Sequence, residues 1–303
     1  MVKVKVLVAG SIGLDEISTP FGSVKDVPGG SATFASLASS IFSKTAMLGS
    51  IGKDFPKEKL KVFESKGIDL SALQENSQKS MRWKAHYGVD VNVAHTDLFE
   101  ANALAELRPE VPEQFKELDY AFIGNFDPDA QLALLSSFKK KPKVFVSDTM
   151  DYYIKSKKEK VLEVVKAADI ALMNDSEARM LFNTPNLAKA AQEILKLNSK
   201  YAVIKKGEHG CLLFSKSTHF SCIGYPLENV LDPTGCGDSF AGAFIGYLAS
   251  TEDFSEKNLR KAIVSASAVA SFNAESFSFE RLSQVTKKDV KERVKEFKEF
   301  AKF

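Results

Sequence analysis

A chain of 303 residues with 44% hydrophobic and 26% charged side chains is long and apolar enough to bury one large core, which excludes a disordered polypeptide. Its formal net charge of +2, with basic residues dispersed among acidic ones, leaves no electrostatic footprint for nucleic acid or a membrane surface and points to a small-molecule partner. The three cysteines, Cys211, Cys222 and Cys236, have neither zinc-type spacing nor the paired count of a disulfide framework. No apolar run is long enough to span a bilayer, so a reducing cytoplasm is the expected location.

The first segment, 4–9, alternates and then runs apolar into Gly10, which predicts a buried strand and lacks a signal-peptide cleavage pattern. Further β-rich runs follow at 46–51, 120–123, 144–147, 170–173 and 202–205. Amphipathic patterns between them predict helices near 31–42, 56–66, 129–139, 156–168, 175–182 and 186–197. Such alternation predicts a mainly parallel sheet covered by helices on both faces. Two stretches break the rhythm: 14–27 and 80–99 have strand-like alternation with no crossover helix, and are expected to form a small β appendage inserted in one folded unit, 1–303. Along 82–87 the alternation sends Arg82, Lys84 and His86 to one face and Trp83 and Tyr87 to the other. The last third predicts a hairpin over 210–214 and 218–220, then helices near 236–250, 256–272 and 287–300.

The densest chemistry lies at 232–243. Pro233, Gly235 and Gly237 make a turn, and Asp238 opens a helix. A glycine-rich helix start presents unpaired N–H groups and the positive end of the helix dipole, which together suit an anion such as phosphate. Beside it, Asp238 has two readings: a general base that takes a proton from an attacking hydroxyl, or a simple helix cap. Neither 49–54 nor 10–13 has the spacing of a P-loop or a dinucleotide fingerprint.

The run Asp232-Pro-Thr-Gly-Cys-Gly-Asp238-Ser-Phe resembles the carboxy-terminal signature of the ribokinase (PfkB-type) carbohydrate and nucleoside kinases. Pro28-Gly29-Gly30 resembles the amino-terminal double-glycine motif of that family, and Asn174-Asp-Ser-Glu177 its Asn-x-x-Glu motif. The motifs occur in family order, so the resemblance spans nearly the whole chain. It implies a ribokinase-like three-layer α/β/α fold with a small β-sheet lid, ATP and Mg2+ as cofactors, and phosphoryl transfer to a hydroxymethyl group of a small sugar. A ribonucleoside acceptor is the alternative, and a non-catalytic sugar or nucleotide sensor a third reading.

Carried over by position, the resemblance makes Asp238 the catalytic base and wraps the amides of Gly235, Cys236 and Gly237 around the transferred phosphoryl group. Asp15, with two acceptor oxygens suited to a vicinal diol, binds substrate, and Gly29 and Gly30 permit close backbone approach or hinge motion beneath the appendage. Read from their places after strands, Asn125 and Asp127, and likewise Asp148 to Asp151, either face substrate or serve as helix caps and turn residues. Asn174, Glu177, Lys205 and Gly207 serve the nucleotide, with Glu177 reaching magnesium through water. First-turn acids and strand-end lysines are also ordinary solvated features, and that reading stands beside the functional one. Asp232 and Thr234 fall where many relatives bind a monovalent cation such as K+, although Asp232 also suits a turn tie. The lid implies a homodimer seam, with Trp83 and Phe99 expected in packing. Two features depart from the family pattern. Cys236 replaces the usual alanine and is either a harmless small residue or a thiol acidified at a helix start. Downstream of the double glycine, Ser31-Ala-Thr-Phe34 lacks the asparagine of ribokinase proper, which leaves ribose specificity open.

Overall fold

In the computed structural model, which describes residues 3–302, strand β1 (Val6–Ala9) is buried along its whole length inside a nine-stranded sheet. Its side chains alternate between two cores: Val6 and Val8 join one hydrophobic cluster, Leu7 and Ala9 another. A strand covered by helices on both faces must bury both sets, which is why it reads as an unbroken apolar run.

After β1 the chain leaves the large sheet. Strands β2 (Gly13–Thr19) and β3 (Gly22–Gly29) begin a second sheet, and helix α1 (Ser31–Ser40) brings the chain back. Next come β4 (Thr45–Gly52), α2 (Lys57–Ser65) and β5 (Asp69–Asn76). Strands β6 (Met81–Tyr87) and β7 (Ala94–Glu100) complete the second sheet in the order β3-β2-β6-β7. Within it β2 and β6 run parallel, and the two outer pairs antiparallel.

A regular strand and helix alternation follows: β8 (Tyr120–Ile123), α3 (Pro128–Ser136), β9 (Val144–Ser147), α4 (Asp151–Ser156), α5 (Lys158–Ala167) and β10 (Ile170–Asn174). Helices α6 (Asp175–Phe182) and α7 (Leu187–Lys196) lead to β11 (Tyr201–Lys205). The antiparallel pair β12 (Cys211–Phe214) and β13 (His219–Cys222) closes one edge. Helices α8 (Cys236–Thr251), α9 (Glu256–Asn273) and α10 (Lys287–Phe300) end the chain.

The large sheet has the order β13-β12-β11-β10-β9-β8-β1-β4-β5. Its pairings from β11 across to β5 are all parallel, as the alternation predicts. Side chains of α1, α8 and α9 fill one face and those of α3, α5, α6 and α7 the other, giving three layers. Two elements had no counterpart in the pattern. Strand β5 is a half-exposed edge with Ala72 as its single buried residue, so no apolar run announces it. Helix α4 is six residues long, too short for a helical period to show.

The two sheets are tied by charge as well as by chain. Arg82 of β6 pairs with Asp26 beside it and reaches Asp54, just beyond β4, at 3.0 Å. On the same face Lys84 pairs with Glu16 at 2.7 Å and His86 meets Asp97 at 2.9 Å. The opposite face of β6 carries Trp83 and Tyr87, which turn toward the cavity described next.

Candidate active site

Parallel α/β sheets present ligands at the carboxyl ends of their strands, where loops and helix starts converge. Here those ends carry Ser11 after β1, Asn125 after β8, Asp148 after β9, Asn174 closing β10 and Lys205 closing β11. The start of α8 lies among them. A cavity of about 510 Å3 opens between these ends and the four-stranded sheet, with Asp15 and Asp238 both on its wall.

The α8 end of the cavity is held by backbone. Gly235 is the residue before α8 and adopts φ +75°, and no side chain caps the helix. A Cβ at Gly235 would run into the Phe34 ring, so the turn requires glycine on two counts. Asp232 anchors the approach: its Oδ1 accepts from the Thr234 N–H at 2.9 Å and its Oδ2 from the Ser278 N–H at 3.0 Å. Asn273 Nδ2 donates to the Thr234 carbonyl at 2.7 Å, while its Oδ1 is buried without a partner.

Beside this turn lies a buried charge cluster. The Lys205 ammonium pairs with the Asp148 carboxylate, and a Cβ built on Gly237 would lie 3.1 Å from Lys205 Nζ. Burial works against the lysine charge, but Asp148, Glu177 and Asp238 around it outweigh burial and raise its pKa. Asp238 is pushed up to about 7, by burial first and by the Asp148 charge second, with Lys205 pulling the other way. A carboxylate poised near neutrality is suited to accept a proton from an alcohol during reaction.

Asn174 and Glu177 form a reciprocal cap on α6. The Glu177 N–H donates to Asn174 Oδ1 at 2.7 Å, and the Asn174 N–H to Glu177 Oε2 at 2.8 Å. This box fixes a carboxylate that is 6% exposed beside Asp148 and Lys205. Burial and then the Asp148 charge push Glu177 to about 8. Among the described residues, no three His, Cys, Asp or Glu side chains are grouped to hold a metal ion directly.

The Cys236 thiol follows burial rather than the helix dipole. It is pushed up to about 12, by burial first, with the nearby Asn273 amide at 3.5 Å acting in the opposite direction. The residue itself is half-buried, and burial acts against the acidified thiol that a helix start favours.

The Asp15 end of the cavity is built from side chains. Asp15, on β2, is 3% exposed, and its Oδ1 is buried with no hydrogen-bond partner. Burial, then the charges of Asp232 and Asp238, raises its pKa well above the usual carboxylate range. Gly29 on the neighbouring strand makes room for it, because a Cβ there would overlap the Asp15 carboxylate. Gly30 begins α1, and Asn125 stands across the cavity. Phe34, at the position of the departure from the ribokinase pattern, lines the floor.

Aromatic rings make much of the remaining wall. Trp83 and Tyr87 come from β6, Phe99 from β7, and Tyr152 and Tyr153 from α4. Phe99 and Tyr152 meet with centroids 6.0 Å apart, so the four-stranded sheet touches α4 across the opening. Trp83 Nε1 donates to Thr96 Oγ1 at 3.1 Å, and the Tyr87 hydroxyl lies 3.0 Å from Thr234 Oγ1.

The fold thus gathers Asp15, Gly30, Asn125, Thr234, Gly235 and Asp238 around one cavity, and Lys205 beside Gly237. Asn174 and Glu177 stand one step behind, in the charge cluster, and Gly207 lies in the turn after β11. The sequence reading did not single out Tyr152, Tyr153 or the Asp148–Lys205 pair. The run Asp148-Thr-Met-Asp-Tyr-Tyr153 at a strand end was the available signal.

Comparison with known proteins gives the same picture. The pattern of "pfkB family carbohydrate kinase" matches residues 6–283. A cytidine kinase of Thermococcus kodakarensis is 31% identical over 249 residues, 80% of this chain and 88% of that protein. A ribokinase of Lactococcus lactis is 25% identical over 94% of this chain and 96% of its own length. Among solved structures, an E. coli ribokinase II chain in complex with ATP and Mg2+ superimposes with a TM-score of 0.81 at 18% identity, covering 97% of this chain and 99% of that one. A Burkholderia thailandensis nucleoside kinase in complex with inosine gives 0.80 at 18% identity, over 96% and 97%.

Proposed function

The chain belongs to the pfkB family of carbohydrate kinases, an ATP-dependent kinase with an alcohol as acceptor, and on that premise we propose that its acceptor is a ribonucleoside. The carrying observation is the aromatic wall, Trp83, Phe99 and Tyr152, in the same cavity as the unpartnered Asp15 carboxylate. A free pentose offers those rings only a few C–H groups, whereas a nucleobase covers them with a full π face and its ribose diol donates to Asp15. Of the two acceptors the motifs left open, the walls favour the nucleoside over the plain sugar. The cytidine kinase similarity supports the same choice.

In this reading the ribose hydroxyls satisfy Asp15 Oδ1 and aim the 5′-hydroxyl at Asp238. As the bond from that oxygen to the γ-phosphorus forms and the bond to the ADP oxygen breaks, the hydroxyl proton passes to the Asp238 carboxylate. The amides of Gly235 and Gly237 and the Lys205 ammonium face the charge on the phosphoryl oxygens, while the Cys236 N–H expected beside them donates to the Pro233 carbonyl at 3.2 Å. Magnesium would neutralise phosphate charge; Glu177, set beside Asp148 and Lys205, is the residue to hold it through water. The four-stranded sheet acts as the lid of a single unit, excluding water from the transfer. Its outer strand β7, exposed along its length, is the proposed seam of a homodimer, which a monomer in sedimentation would remove. Asp232, Thr234 and the unpartnered Asn273 Oδ1 suit a monovalent cation; equal activity with potassium and choline at fixed ionic strength would rule it out.

The test is competition for labelled phosphate from ATP. Ribonucleosides should be phosphorylated with kcat/KM well above that of ribose or fructose, and a sugar turned over equally well would overturn the reading.

A further inference from the structure

One hairpin touches both halves of this site. Strands β6 and β7 carry Trp83, Tyr87, Thr96 and Phe99 on the cavity wall, and the turn that joins them reaches the nucleotide-side turn after β11. There Asn92 uses both ends of its amide: Nδ2 donates to Glu208 Oε1 at 3.0 Å, and Oδ1 accepts from the Glu208 N–H at 3.3 Å. Asp90 Oδ1 accepts from the Asn92 N–H at 3.0 Å and from Asn92 Nδ2 at 3.1 Å, which orients that amide. Gly207 adopts φ +54°, and a Cβ there would overlap Asn92 Oδ1, so the contact needs glycine at this position. Lower on the hairpin, the Tyr87 hydroxyl meets Thr234, one residue before the Gly235 turn.

The hairpin therefore reaches the turns on either side of Lys205 and Asp238 while forming the acceptor wall. The Asn92 contact is exposed to solvent, where water competes for each hydrogen bond, so it can form and break as the hairpin moves. A contact made in one hairpin position and absent in another is a coupling device, because a ligand that favours the docked position also favours the other site.

We propose that Asn92 is a positioning residue: acceptor closing the β6–β7 hairpin docks Asn92 on Gly207 and Glu208, which sets that turn for the ATP phosphates. The inference rests on the acceptor and nucleotide assignments above. Linkage makes it reciprocal, so ATP must tighten acceptor binding by the same factor.

The experiment is calorimetric titration of β,γ-imido-ATP with magnesium, alone and with saturating cytidine, and again with ribose. In the unaltered chain a bound acceptor should tighten the nucleotide about fivefold or more. In Asn92→Ala each ligand alone should bind within about twofold of normal while that factor falls toward one. KM for ATP should rise at saturating acceptor with kcat little changed. Asn92→Asp alone sets a carboxylate against both Glu208 and Asp90 and should also abolish coupling; adding Glu208→Gln and Asp90→Asn supplies a donor on each side and should restore it, which a merely structural role does not explain. Full coupling in Asn92→Ala, or none in the unaltered chain with either acceptor, overturns the proposal. Binding of ribose but not cytidine would overturn the nucleoside reading, and the ribose titration would still decide the coupling.

Discussion

At the α8 end of the cavity, the groups around Asp238 are placed by main chain: a glycine turn, amides tied to Asp232, and strand ends that set Asp148 and Lys205 side by side. At the Asp15 end the walls are side chains drawn from a separate four-stranded sheet and from α4. Main-chain geometry tolerates few residues and so leaves a dense motif; a side-chain wall can be made from many residues and leaves none. The first end suits a step common to many kinases, and the second suits the choice of acceptor.

The largest effect should separate the ends. Asp238→Asn keeps shape and removes the base, and should lower kcat by roughly 100- to 10,000-fold while acceptor binding by calorimetry stays close to normal. Activity within tenfold of the parent would return Asp238 to the role of a helix-start acid. Gly29→Ala attacks the other end, because the added methyl overlaps the Asp15 carboxylate; acceptor KM should rise by about tenfold or more, the cost of losing the hydrogen bonds from the acceptor to Asp15, with ATP binding intact.

A finer cut comes from the rings. Tyr152→Ala or Phe99→Ala should weaken nucleoside binding by roughly 5- to 100-fold, as expected for about 1–3 kcal/mol of stacking per base, and leave any residual turnover of ribose unaffected. Equal losses for both acceptors would mean that the rings only support α4. The polar pair beside them, Asp151 and Lys155 at 2.6 Å, faces the same cavity, so comparison of cytidine with uridine in Asp151→Ala shows whether the base edge is read there.

The pH dependence is the mildest probe. With Asp238 near 7, kcat/KM should fall about tenfold per unit as pH drops below that value. Stability should run the other way. The folded chain keeps a proton on Asp238, and on Glu177 near 8, where the unfolded carboxyls have lost theirs. It therefore binds more protons between about pH 4 and 8, and stability falls as pH rises through that window. Asp238→Asn should flatten part of this slope and gain Tm relative to the parent at pH 8, with little difference near pH 4. An unchanged slope would place the titration elsewhere.

Much of the architecture was legible in the amino-acid sequence because its signals are local. Buried parallel strands must be apolar on both faces, and residues 6–9, 120–123 and 144–147 read so directly. The glycine turn at 235 and the Asn174–Glu177 box are likewise short-range patterns whose conformations depend on neighbours in the chain. Strand β5 and helix α4 escaped because one is a polar edge and the other too short to show a period.

The residue types and order of the motifs thus determined the sheet, the anion-binding helix start and an acid beside it. Only the tertiary structure decided that Asp15 is buried with an unsatisfied oxygen, that Asp148 neutralises Lys205, that burial raises the Cys236 thiol, and that rings from β6, β7 and α4 share one cavity. Each of those depends on groups between about 15 and 220 residues apart in the chain, and desolvation, ion pairing and stacking act through space, with no local pattern to announce them.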